Sequence, residues 1–129
     1  MNTVLMAGTT IVNLALISYA IAIVTEQRKK LVSNKVLIFI TLGVILDITA
    51  TALMVIGSSK GAFTAHGLIG YSSLSLMLID AVLLWIFRKK YGALTYVGKK
   101  LHIYSRIAFI WWIVAYITGA VLVALRHSA

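Results

Sequence analysis

The sequence predicts an all-α membrane protein: an antiparallel bundle of four transmembrane helices with both termini outside the cytoplasm. Three observations predict it. Of the 129 residues, 61% are hydrophobic and only 12% charged, where an ordinary soluble domain is about one-quarter charged. The apolar residues fall in four continuous stretches, each long enough to cross a hydrocarbon core of about 30 Å. Continuous runs, rather than alternation, exclude a barrel and leave helices as the spanning solution. Third, the basic residues segregate to one side of the predicted bundle.

The stretches are 4–24, 36–56, 65–87 and 101–125. The connections between them (TEQRKKLVSNK, GSSKGAFT and RKKYGALTYVGKK) are short and polar, as an up-down-up-down bundle requires. The whole chain, 1–129, reads as a single membrane domain without repeat or linker. Zero cysteines exclude disulfides, thiolate metal sites and a Cys nucleophile, and zero prolines mean no helix is kinked by that residue. The first stretch reads as a retained anchor rather than a cleaved leader: no basic residue precedes it and its charges follow it.

Lys and Arg number 12 against 3 acids, a net charge of +9. Arg28, Lys29, Lys30 and Lys35 lie in the first connection; Arg88, Lys89, Lys90, Lys99 and Lys100 lie in the third. The opposite side holds Lys60 and Arg126, and Arg106 falls within the fourth span. This is the positive-inside distribution, and it assigns the two basic connections to the cytoplasm and to anionic lipid. Nucleic-acid binding is excluded, because the charge lies on short juxtamembrane loops with no reading element. Hydrolysis is excluded too: no Ser-His-Asp spacing, phosphate loop or His-x-x-x-His pair occurs.

Charge inside a bilayer is costly, so such residues face the bundle interior and find partners. Asp47, Asp80 and Arg106 are the charged candidates, and Asn13, Tyr19, Tyr71, Tyr104 and Tyr116 complete the polar ones. Asp47 lies near the midplane at the depth of Asn13, which gives two readings: a hydrogen-bonded Asn13–Asp47 pair, or a proton or cation site. Asp80 and Arg106 lie at similar depths near the basic side, and again two readings stand. They form a buried ion pair, or Arg106 serves an anionic ligand group such as a haem propionate.

His66 and Asp80 are fourteen residues apart, as are His102 and Tyr116. Fourteen residues return to nearly the same helix face about 21 Å further on. That is the separation of two stacked haems in transmembrane four-helix cytochromes of the b type, where each ligating helix carries two histidines; here each carries one. The stripe on the third span contains Gly70, Ser73 and Met77, and that on the fourth Arg106, Phe109 and Ile113. A neutral imidazole suits haem iron, and small residues beside it leave room for a porphyrin. The same pattern also reads as satisfied interfacial histidines with Met77 as core filler. His66 belongs to the outer half and His102 to the inner, so the two do not share one iron, and His127 lies beyond the end of its span. Trp85, Trp111 and Trp112 read as belt or packing residues, and Gly67, Gly70 and Gly119 as positions of close helix approach.

The segment His66-Gly-Leu-Ile-Gly70, followed by Leu76-Met77-Leu78-Ile79-Asp80-Ala81, resembles the HsmA family, the haem-sensing membrane proteins of bacteria. So does Leu101-His102-Ile-Tyr-Ser105 followed by Trp111-Trp112 and Gly119, together with Asp47 and residues 51–54. The resemblance covers essentially the whole chain. It implies a multi-pass protein of the bacterial cytoplasmic membrane that binds haem b, sequesters it and supports defence against oxidative stress. It carries His66 and His102 over as iron ligands, with Arg106 neutralising a propionate and Asp80 orienting His102 or a bound water. The family pattern favours histidine where this chain has Asp80, and Tyr116 stands where a second histidine would complete the other site. Both departures imply an open or weak sixth position, and hence redox or peroxide chemistry. The implied partners are the lipid bilayer, haem, and an electron donor or a second copy. The alternative function is a small proton- or cation-coupled transporter using Asp47 and Asp80; small multidrug exporters place their acid in the first helix, and the stretch 4–24 has none. A third is a subunit or anchor of a larger respiratory complex.

Overall fold

The computed structural model describes residues 3–57 and 65–128, with the side chains at positions 5, 57, 65, 66 and 122–128 outside the described residues. Four helices account for the described chain: α1 (Thr3–Lys29), α2 (Asn34–Gly57), α3 (Ala65–Tyr91) and α4 (Lys99–Ser128). All four are long and apolar enough to cross a membrane. The protein is a multi-pass, all-α membrane protein.

The helices form a closed ring in chain order, each packed against its sequence neighbours, with α4 returning to α1. Cross-links establish the antiparallel register. Between α3 and α4 the bonds run from Asp80–Ser105 through Leu76–Tyr104 to Ser72–Trp111, and between α1 and α4 from Glu26–His102 to Asn13–Tyr116. As one helix advances, its partner retreats.

The helix ends explain the connections. α1 does not stop where hydropathy falls, near residue 24, but continues through Glu26 to Lys29. It ends on Lys30, which adopts the left-handed conformation (φ 55°) and returns its N–H to Glu26 O. α3 ends in the same way on Gly92 (φ 81°), whose missing Cβ makes that conformation inexpensive. Ser33 caps α2 through its hydroxyl on the Val36 N–H. The first connection is therefore four residues, not the eleven that composition marked. Val97 N donates to Lys30 O, and Arg88 donates to Val32 O at 3.0 Å and Asn34 Oδ1 at 2.7 Å. The two basic loops thus meet at one end of the bundle, hereafter the basic end.

α1 and α2 approach most closely. At Gly43 an added Cβ would lie 2.5 Å from the Tyr19 ring, and at Gly8 it would lie 3.0 Å from the Met54 side chain. Small residues at such contacts let backbones close in where lipid supplies no hydrophobic drive. α1 and α4 stand further apart and are bridged by long polar and aromatic side chains. Outward faces are apolar, with Ile38, Ile45, Ile86 and Ile107 more than half exposed; hydroxyls such as Thr10 and Thr49 satisfy themselves on carbonyls one turn back.

Candidate functional site

The interior is mainly apolar but encloses the acids. All three acids of the chain are buried: Glu26 and Asp80 are 0% exposed and Asp47 4%. Among the described residues none of them pairs with a lysine or arginine; the one ionic contact is Glu26 with His102. Polar neighbours therefore carry the whole burden of satisfying these carboxyls.

At the basic end, Glu26, Gln27, His102 and Arg106 form one cluster. The stripe Tyr19, Ala22, Ile23 and Glu26, all buried, turns the Glu26 carboxylate inward. Its Oε2 lies 2.7 Å from His102 Nδ1, and its Oε1 accepts from Gln27 Nε2 at 2.7 Å. The second amide hydrogen of Gln27 goes to His102 O at 2.9 Å, and its Oε1 accepts from Arg106 Nε at 2.9 Å. Every amide position of Gln27 is thereby used. An ionised carboxylate only accepts, so His102 Nδ1 is the donor and Nε2 is left with the lone pair in the neutral ring. This is the arrangement by which a carboxylate fixes the tautomer and orientation of a metal-binding histidine.

Asp80 is not part of that cluster. Ser105 donates to its Oδ1, while its Oδ2 is buried without a hydrogen-bond partner among the described residues. The expected Asp80–Arg106 ion pair does not form. Arg106 lies on the exposed side of α4, where its guanidinium reaches Gln27 on α1, whereas Asp80 on α3 is fully buried against the Ser105 hydroxyl. Nor does Asp80 orient His102; Glu26 does.

At the midplane Asp47 Oδ2 accepts from Tyr19 OH and from Trp112 Nε1, both at 2.8 Å. Trp112 thus reaches diagonally across the ring from α4 to α2. The expected Asn13–Asp47 pair is absent, because Tyr19 on the adjoining turns of α1 fills the space before Asp47. Asn13 instead accepts from Tyr116 OH. Trp112 meets Tyr19 edge-on at 5.0 Å and stacks with Tyr116 at 5.8 Å and Phe109 at 6.5 Å. Trp85 and Trp111 are surface residues, donating to Thr41 and Ser72.

Of the site residues marked from sequence, the structure brings together Asn13 with Tyr116 directly, and His102 with Arg106 through Gln27. Tyr116 lies fourteen residues along α4 from His102, roughly 21 Å away. The side chains of His66 and His127 lie outside the described residues. On the His66 stripe, Ser73, Met77 and Asp80 are buried, and a Cβ at Gly70 would meet no atom within 4 Å. The residues that sequence reasoning missed are Glu26 and Gln27; Tyr19 was marked without its partner, and Trp112, read as a belt or packing residue, also donates to Asp47. Glu26 and Gln27 sat in a segment assigned to a loop. Extending the period of Tyr19, Ala22 and Ile23 one more turn would have found Glu26.

No protein-family model matches this chain, nor does any curated protein or solved structure.

Proposed function

We propose that this chain is a haem-binding protein of the bacterial cytoplasmic membrane, of the HsmA kind, that sequesters haem b and supports redox defence. One observation carries the reading: His102 is oriented by a fully buried carboxylate that takes Nδ1 and leaves Nε2 free as a donor to iron. Two further features fit the group. Arg106 belongs to the same cluster and is exposed, as a partner for a propionate should be. Gly70, one turn from His66, has open space where a side chain would stand. Asp80 and Tyr116 do not fit as ligands, since the Ser105 hydroxyl holds Asp80 and the Tyr116 hydroxyl is spent on Asn13 Oδ1 within the bundle's own packing. His66 and His102 each lie in the first turn of their helix, and α3 and α4 run antiparallel, so the two positions stand at opposite ends of the bundle and each would hold its own haem. Bound haem supplies one-electron and small-ligand chemistry; the chain's part is to hold the His102 ring, balance the propionate charge and exclude water.

The deciding experiment is a hemin titration of the detergent-purified protein, followed by oxidised and dithionite-reduced spectra. A Soret band near stoichiometric haem is expected, shifted or lost in His102→Ala and reduced in His66→Ala. A colourless protein that rejects hemin, or a spectrum unchanged in both variants, overturns the reading.

One observation favours a second reading, proton- or cation-coupled transport: three buried carboxyls that have no lysine or arginine partner among the described residues, one of them with an oxygen that has no hydrogen-bond partner there. Substrate-dependent proton flux in liposomes, lost in Asp80→Asn and Asp47→Asn, would establish it. The absence of flux in wild type would remove it.

A further inference from the structure

The haem reading of the basic end leaves the midplane cluster unused, and the geometry of that cluster suits electron transfer. Tyr19 is 0% exposed and its phenol donates to Asp47 Oδ2 at 2.8 Å. Removing an electron from a phenol makes its O–H strongly acidic, so oxidation is easy only where a base stands ready on the hydrogen-bond line. Asp47 is that base. Its Oδ2 accepts from both Tyr19 and Trp112, as an acceptor-only carboxylate can. No lysine or arginine competes for it among the described residues.

The surroundings provide the other two requirements, a rigid ring and a path for the electron. The Tyr19 ring lies directly over the backbone at Gly43, so close that a methyl there would fall 2.5 Å from a ring carbon. A ring held this way changes little in position between its two redox states. Trp112, 3% exposed, touches Tyr19 edge-on and stacks on Tyr116, and Tyr116 is half-buried with its hydroxyl on exposed Asn13. Aromatic rings at these separations are in contact. They form a continuous chain from the sealed core to the lipid-facing side of the α1–α4 seam.

We propose that Tyr19 is a redox-active tyrosine that gives up one electron through Trp112 and Tyr116 while its proton passes to Asp47. The oxidant is of the class of lipid peroxyl radicals, which the bilayer brings to that seam. In balance, the Tyr19 phenol, the Asp47 carboxylate, one peroxyl radical and one proton from water give a neutral tyrosyl radical, the Asp47 carboxylic acid and a lipid hydroperoxide. The O–H bond of Tyr19 breaks, an O–H bond forms on Asp47, and the peroxyl radical is reduced by one electron. This activity needs no haem.

The test uses the full chain, free of hemin, in liposomes of polyunsaturated phospholipid with a lipid-soluble azo initiator, freeze-quenched for electron paramagnetic resonance. A neutral tyrosyl signal is expected in wild type. Tyr19→Phe loses it, Asp47→Asn (similar in shape but unable to take the proton) lowers it, and Tyr116→Phe, which impairs the electron path, slows its appearance. No signal in wild type, an undiminished signal in Tyr19→Phe, or a signal that forms as fast in Tyr116→Phe as in wild type overturns the proposal. Asp47→Asn separates a redox role from a packing role should Tyr19→Phe fail to fold: a full signal there also overturns it. Failure of hemin binding leaves every one of these outcomes readable.

Discussion

Glu26 and Asp47 are both buried carboxyls in the same bundle, yet their surroundings differ in kind. Glu26 sits one turn from the basic end, and its partners are flexible or partly exposed: Gln27, His102 at 13% side-chain exposure, and Arg106 beyond them. Asp47 sits at the midplane, held by two rigid aromatic donors from two other helices and sealed by close packing at Gly43. The first site can admit a ligand by moving side chains alone. The second cannot open without separating helices. Near the membrane surface, polarity is available for binding; at the centre, it is enclosed and is free only to exchange electrons and protons with its own neighbours.

The strongest way to break this comparison is to remove Asp47. Asp47→Leu leaves the Tyr19 hydroxyl and the Trp112 N–H buried without a partner, each at about 1–3 kcal/mol. A large fall in the thermal or denaturant midpoint in detergent is expected; a midpoint unchanged from wild type would mean the midplane is not sealed. Glu26→Ala should act on binding rather than on the fold. Loss of an orienting carboxylate weakens a metal-binding histidine roughly 10–100-fold, so hemin affinity falls while the unfolding midpoint moves little, as titration and melting of the same sample would show.

Packing gives the next contrast. Gly43→Ala forces a methyl against the Tyr19 ring and should destabilise by about 1–3 kcal/mol. Gly70→Ala meets open space and should gain up to about 1 kcal/mol from helix propensity; the same substitution, if it blocks hemin near His66, would lower binding while raising the midpoint. The smallest effect belongs to the surface. Trp85→Phe removes one exposed bond to Thr41 and should cost about 0.6 kcal/mol, the average for a hydrogen bond between membrane helices. A larger loss would show that the outer seam contributes as much as the interior.

Much of the fold was legible because burial in a bilayer depends on depth, and depth follows position along a helix. The four spans, their alternation and the gathering of the basic loops were all readable in this way. The helix ends were not. Hydropathy falls at Glu26, but the backbone hydrogen bonds run on to Lys29, and buried polar partners offset what composition takes for a loop. Site residues were legible as singular polar residues in apolar runs, which singled out Asp47, Asp80, Arg106 and His102. Their partners were misread. Depth matched Asn13 with Asp47 and Asp80 with Arg106, but the structure gives Asp47 to Tyr19 and Trp112, Asp80 to Ser105, and Arg106 to Gln27.

The sequence by itself determined that this chain crosses the membrane four times as helices, with most of its cations at one end. A backbone in hydrocarbon must satisfy its own hydrogen bonds, and the apolar runs leave no other way to do so. Only the tertiary structure decided which polar groups meet. Rotating a helix about its axis leaves the depth of every residue unchanged, and that rotation is set by packing: Gly43 against Tyr19, and Trp112 reaching across the ring. With those contacts Glu26 meets His102, and one oxygen of Asp80 has no hydrogen-bond partner among the described residues.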